Sequence, residues 1–128
     1  MNQEEKARVV ESYIASSKFS LGKDRVLRRA GESDWASQVL YKLASREPAL
    51  VLELCISIAK QDGSEETLER VANGPLVEVL KSADDALLAG IVRIASAAPA
   101  LRELLSCVWE DNELAQSTWV VIRDNSAE

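Results

Sequence analysis

Through most of this chain the apolar residues return every three or four positions, and that spacing is the strongest constraint on its fold. At 3.6 residues per turn such a pattern lays apolar side chains along one face of a helix, whereas a half-buried strand needs them at every second position. Composition points the same way, since Ala, Leu and Val abound while aromatic residues make up only 5%, a balance that favours helix. With 128 residues, 47% of them hydrophobic, the chain has the length of one domain and enough apolar material for a core. The reading is therefore all-α: a compact bundle of about six to seven helices arranged as antiparallel pairs, in the manner of helical repeats.

The pattern divides residues 1–128 into an N-terminal helix with a basic segment (1–31), core helical pairs (33–109) and an acidic C-terminal tail (110–128). A first helix is expected over Gln3–Phe19, with Ala7, Val10, Tyr13 and Ile14 on its apolar side, broken by Ser20-Leu21-Gly22. After a second break at Gly31, Ser33 suits an N-cap for a helix carrying Trp35, Val39, Leu40 and Leu43. Pro48 fits the first turn of the next helix, where its missing N–H costs nothing. Between Ala49 and Ala59 only Glu53 and Ser57 are polar, so that helix belongs in the middle of the domain.

Asp62-Gly63 ends it and Ser64 caps a helix with Glu65 and Glu66 in its first turn. Asn73-Gly74 closes that helix, with Gly74 expected at positive φ, and Pro75 starts a short one that points Leu76 inward. Asp84 caps a helix with Leu87, Leu88, Ile91 and Ile94 on its apolar face. Pro99 opens a last core helix with Leu101, Leu104, Leu105, Val108 and Trp109, Trp35 and Trp109 being read as core anchors. Within the polar tail, Trp119 to Ile122 docks back as a helical turn or a short strand.

An internal similarity ties these elements together. Ala44-Ser45-Arg46-Glu47-Pro48-Ala49-Leu50 and Ala95-Ser96-Ala97-Ala98-Pro99-Ala100-Leu101 agree at five of seven positions with an offset of 51. At the same offset Leu40 and Leu43 fall on Ile91 and Ile94, and Ser33 falls on Asp84. Two copies of helix, Pro-containing turn and helix are the expectation.

The order Trp35, Pro48, Asn73-Gly74-Pro75-Leu76, Pro99 and Val108-Trp109 resembles a family of small bacterial proteins classed as a domain of unknown function. Gly-Pro-Leu and the closing Val-Trp are its distinctive parts. That family has an acidic residue directly after Gly-Pro-Leu, where this chain has Val77 and places Glu78 one position later. The resemblance implies an all-helical protein and supplies no activity.

Catalytic chemistry is poorly provided for. There is no histidine, which removes Ser-His and Cys-His pairs, His-ligated zinc and the commonest general base. The two cysteines, Cys55 and Cys107, sit among Leu, Ile and Val and are expected to be buried, reduced thiols rather than a zinc site or a disulfide. Glycines at 22, 31, 63, 74 and 90 form no phosphate loop. The carboxylate groups Glu65/Glu66/Glu69, Asp84/Asp85 and Glu110/Asp111/Glu113 mostly stand at helix starts, where they complement the macrodipole. No catalytic residue, cofactor or metal ligand is therefore assigned.

Charge gives the partner class. The net charge is −6, but residues 1–31 hold seven bases against four acids while residues 32–128 hold eight against seventeen, a basic head and a body of −9. Such a body repels a phosphate backbone and attracts a basic protein surface. The candidate contact residues are Glu65, Glu66, Glu69 and Glu78 around Gly-Pro-Leu, and Trp119 in the polar tail. No stretch approaches a membrane span, and the N-terminus reads as that of a cytoplasmic protein without a secretory signal.

The favoured function is a non-catalytic protein-interaction module, of the kind in which an immunity or antitoxin protein masks a basic partner. The alternatives are a carboxylate- or metal-dependent enzyme, and a weak nucleic-acid contact through Lys18, Lys23, Arg25, Arg28 and Arg29.

Overall fold

The computed structural model describes residues 2–19, 35–110 and 112–126. The expected basic segment at Lys23, Arg25, Arg28 and Arg29, the breaks at Gly22 and Gly31 and the cap Ser33 lie outside them. Among the described residues the secondary structure is entirely helical. The helices are α1 (Gln3–Phe19), α2 (Trp35–Arg46), α3 (Pro48–Gln61), α4 (Glu65–Val71), α5 (Val77–Lys81), α6 (Asp85–Ala97), α7 (Pro99–Ser106) and α8 (Gln116–Asn125), with a wider, π-type turn at Ala72–Leu76 joining α4 to α5. None of these is long and apolar enough to cross a membrane.

α1 starts where the pattern placed it, capped by the side chain of Asn2, whose Oδ1 accepts from the Glu5 amide at 2.8 Å. Its buried face is Val9, Val10 and Tyr13, with Ile14 packed beside them; Ala7, expected on that face, is exposed. Lys6 reaches across to Glu53 of α3 at 2.8 Å.

α3 is the central helix, as its nearly continuous apolar surface requires. It buries Val51, Leu52, Leu54, Cys55, Ile58 and Ala59 and packs against α1, α2, α4 and α7. α2 adds Ala36, Leu40 and Ala44, with Trp35, Val39 and Leu43 at the edge of the core. α6 buries Leu88, Ile91 and Ala95, while Ile94, expected to be buried, is 38% exposed.

The two proline turns share their hydrogen bonding residue for residue. At the first, the Glu47 amide donates to Leu43 O (2.6 Å), and Leu50 and Val51 donate to Glu47 O (3.1 and 3.2 Å). At the second, Ala98 donates to Ile94 O (2.8 Å), and Leu101 and Arg102 donate to Ala98 O (3.1 and 3.4 Å). One non-helical residue, Glu47 (φ −137°, ψ 66°) or Ala98 (φ −125°, ψ 96°), interrupts the helical path, and proline begins the next helix. The offset of 51 read from the sequence therefore carries over to the backbone of both turns.

Caps differ in detail from expectation. Asp84 accepts from the Leu87 amide at 2.8 Å as an N-cap should. Ser64 occupies the N-cap position of α4 without capping it by its side chain; its hydroxyl instead donates to Thr67 Oγ1 at 3.2 Å, and Thr67 Oγ1 donates to Asp62 Oδ2 at 3.0 Å. Thr67 is one of two buried polar residues in the described core, and this chain of hydroxyls accommodates it.

Gly74 corrects the sequence reading. Its φ is −111° with ψ −105°, so it does not close α4 in the left-handed conformation. The helical path instead bends there, and Pro75 lies buried inside the bend rather than opening α5, which begins two residues later at Val77. Leu76 points into the core as expected. The tail is also more ordered than expected: Trp119 to Ile122 belongs to the ten-residue helix α8, which packs on α6 and α7. Thr118 and Ile122, four residues apart, are its buried face, and that docking outweighs the strand preference of Val120-Val121-Ile122.

Candidate functional site

Asn73 organises the surface around the bend. Its side-chain Nδ2 donates to Glu69 O and to Cys107 O, both at 2.9 Å. Its Oδ1 accepts from the Trp109 amide at 2.7 Å and from Asn112 Nδ2 at 2.9 Å. An amide side chain offers two donors and two acceptor sites, and here all four are engaged. The result fixes the segment after α7, Cys107 to Asn112, against the end of α4. Sequence reasoning valued Asn73 only as a helix terminator; nothing in the local pattern announces a partner 34 to 39 residues away.

This latch determines where Trp109 goes. α7 ends at Ser106, so Trp109 is not on the core helix as expected, and it is 53% exposed. The correction has a simple cause: its amide is held by Asn73 while the apolar contacts of that end of the chain are taken by Leu104, Leu105 and Val108.

Of the expected contact residues, Glu65 and Glu66 are exposed in the first turn of α4, and Glu69 is half-buried one turn on. Glu65 and Glu69 are four residues apart and share a face. Both act on Cys107, together with Glu103 of α7. Burial pushes the Cys107 thiol up; these carboxylates add to it, against a hydrogen bond with Ser106. Glu103 was not singled out in the sequence, because only the packing of α7 against α4 brings it there. Glu78 stands apart, half-buried on α5 beyond the bend and paired with Lys81 at 3.4 Å. Val77, directly after Gly-Pro-Leu, is buried.

Cys107 is half-buried rather than buried as expected, whereas Cys55 is fully enclosed and burial pushes its thiol up to about 12. Trp119 is half-buried and packs against the core. It lines a cleft of about 510 Å³ between α7 and α8, together with Leu105, Val108, Ile122, Glu110 and Arg123.

On the opposite side of the bend, Tyr13, Tyr41 and Arg70 gather around Gly74. The Arg70 guanidinium lies 5.4 Å from the centre of the Tyr13 ring. Burial holds the Tyr13 phenol above its ordinary value, against the Arg70 charge and hydrogen bond. A side chain at position 74 would meet Tyr41 Oη at 3.4 Å and Tyr13 Oη at 3.7 Å, so glycine leaves room for both hydroxyls. Among the described residues no three of His, Cys, Asp and Glu are grouped so as to hold a metal ion.

A family model matches residues 24–127, and its description is a family of unknown function. The match includes every residue from Trp35 to Trp109 on which the resemblance rested. No curated protein and no solved structure matches the chain.

Proposed function

The chain belongs to that family of unknown function, DUF6869, and from this premise we propose that it is a non-catalytic, cytoplasmic protein-interaction module that receives a basic partner. The observation carrying the reading is Trp109, 53% exposed while its backbone is fastened by the Asn73 side chain at 2.7 Å. A large aromatic ring on a fixed backbone loses little freedom on binding, and tryptophan is among the residues most enriched at the energetic centres of interfaces.

Two residues before it in the chain, Cys107 feels the charges of Glu65, Glu69 and Glu103, and such carboxylates supply a negative field by which a basic surface is steered. The reading thus keeps Glu65 and Glu69 of the four expected glutamates, adds Glu103 and Trp109, and sets aside Glu78, which is paired with Lys81. Masking of a basic enzyme by an immunity- or antitoxin-like protein fits such a face and the −6 net charge.

The test starts from a partner captured from the native host and purified. Glu65→Lys with Glu69→Lys should slow its association, flatten the salt dependence and leave the helical content unchanged, since helix-surface charges contribute little to stability. Trp109→Ala should speed its dissociation. A purified partner whose binding ignores both changes and raised salt would overturn the reading. Tight stoichiometric binding of a divalent metal, abolished by changing two of these carboxylates, would favour the enzyme alternative instead.

A further inference from the structure

Asn73 is the one asparagine of this chain that a glycine follows; Asn2, Asn112 and Asn125 precede Gln3, Glu113 and Ser126. That order has a chemical consequence at the bend. A backbone amide that has lost its proton to base attacks the side-chain carbonyl carbon of a preceding asparagine, and a glycine nitrogen, with no Cβ beside it, approaches most easily. The bond from Gly74 N to Asn73 Cγ forms, the Cγ–Nδ2 bond breaks, and ammonia leaves behind a succinimide ring. Water then opens the ring at either carbonyl carbon, giving aspartate or, with the chain rerouted through Cβ, isoaspartate. Nothing is oxidised or reduced.

The latch acts on this reaction before it starts. Nδ2 donates to Glu69 O, four residues back, and to Cys107 O, both at 2.9 Å. These bonds turn the carboxamide toward the preceding turn of α4 and away from the following residue, whose nitrogen must reach it. Oδ1 is held as well, by the Trp109 amide and Asn112 Nδ2. Attack therefore waits for the latch to open.

We propose that Asn73 is a deamidation site which the latch holds closed, and that conversion of its amide to a carboxylate releases the Trp109 segment permanently. The product cannot rebuild the latch. An ionised carboxylate accepts but does not donate, so the carbonyl oxygens of Glu69 and Cys107 meet another oxygen where they had an N–H at 2.9 Å. The new charge also joins Glu65, Glu69 and Glu103, which already act on Cys107, and like charges disfavour one another. In isoaspartate the extra main-chain methylene misplaces the carboxylate besides. Trp109 then keeps its exposed ring and loses its fixed backbone, whatever that surface binds.

The test keeps the full chain in mildly alkaline buffer with and without denaturant and maps the products by mass spectrometry, with isoaspartate methyltransferase marking the rearranged one. In denaturant Asn73 should convert ahead of Asn2, Asn112 and Asn125, and Gly74→Ala should slow it. In the native protein Asn73 should convert more than about tenfold more slowly than in denaturant, because the reaction passes through local opening. Asn112→Ala, which takes a hydrogen bond from Oδ1, should hasten the native reaction. The converted fraction, isolated by ion exchange on its added negative charge, should show a moved Trp109 indole resonance with that of Trp35 in place, and Asn73→Asp should reproduce it.

Equal rates in native and denatured protein, or a native rate that Asn112→Ala leaves unchanged, would show that the latch does not guard the site and overturn the proposal. Earlier conversion of another asparagine in denaturant would also overturn it. An unmoved Trp109 signal in the converted fraction would mean that the latch survives loss of its amide. Movement of Trp35 as well would make the amide a support of the whole fold, and the release of one segment would fall.

Discussion

Asn73 and Trp109 are joined by a hydrogen bond of 2.7 Å from the Trp109 amide to the Asn73 side chain, which brings the Asn-Gly-Pro-Leu bend and the Val-Trp element into contact. The two residues are 36 positions apart in the chain. Their contact means that the bend positions the exposed indole. Asn73→Ala should cost about 2 kcal/mol, because it strips a partner from each of two part-buried carbonyls and releases the exposed Trp109 amide. Chemical denaturation measures the loss, and the Trp109 indole resonance should broaden or move while that of Trp35 stays.

Thr67 supports the start of α4 through Asp62 and Ser64. Thr67→Val keeps the shape and removes the hydroxyl, so a loss of about 1 kcal/mol is expected. In a double-mutant cycle with Asp62→Ala the two losses should not add, since they share one hydrogen bond. Additive losses would show that the network has no cooperative part.

The thiols should separate by reactivity. Thiolate is the reactive form, and access is needed as well. Cys107, half-buried, should label slowly in the native protein, and Cys55, enclosed by α3 and its neighbours, should label only on unfolding. Counting modified thiols with and without denaturant, one against two, checks this.

Stability should fall in alkali for a stated reason. Burial raises Cys55 from 9.0 to about 12 in the folded protein, so from pH 9 upward the unfolded chain releases this proton while the folded one keeps it. The unfolded state then binds fewer protons, and stability declines with rising pH between about 9 and 12. Buried Tyr13, also raised, acts in the same direction from about 10. The contribution is fully present below pH 9. Cys55→Ala should lessen the slope of denaturation midpoint against pH in that window, and an unchanged slope would exclude Cys55 as its source.

The sequence alone determined most of the helices, because these depend on spacing within a few turns. The bounds of α1, the proline starts of α3 and α7, the central place of α3 and the shared turns at Glu47 and Ala98 all follow from apolar period and local backbone chemistry. Glu65, Glu66 and Glu69 were legible in the same way, as acids at the start of one helix.

Tertiary structure decided what required distant parts of the chain to meet. A Trp beside Val, Leu and Leu reads as core, and only the Asn73 latch places Trp109 outside it. An Asn-Gly pair reads as a left-handed terminator, yet Gly74 adopts a negative φ inside a bend that leaves space for Tyr13 and Tyr41. Glu103 joins Glu65 and Glu69 only because α7 packs on α4. The tail becomes α8 only because α6 and α7 offer Thr118 and Ile122 a surface to bury against. Local periodicity fixes which face of a helix is apolar, but the side chains and hydrogen bonds that compete for each place in the core come from the whole chain, and that competition set the candidate site.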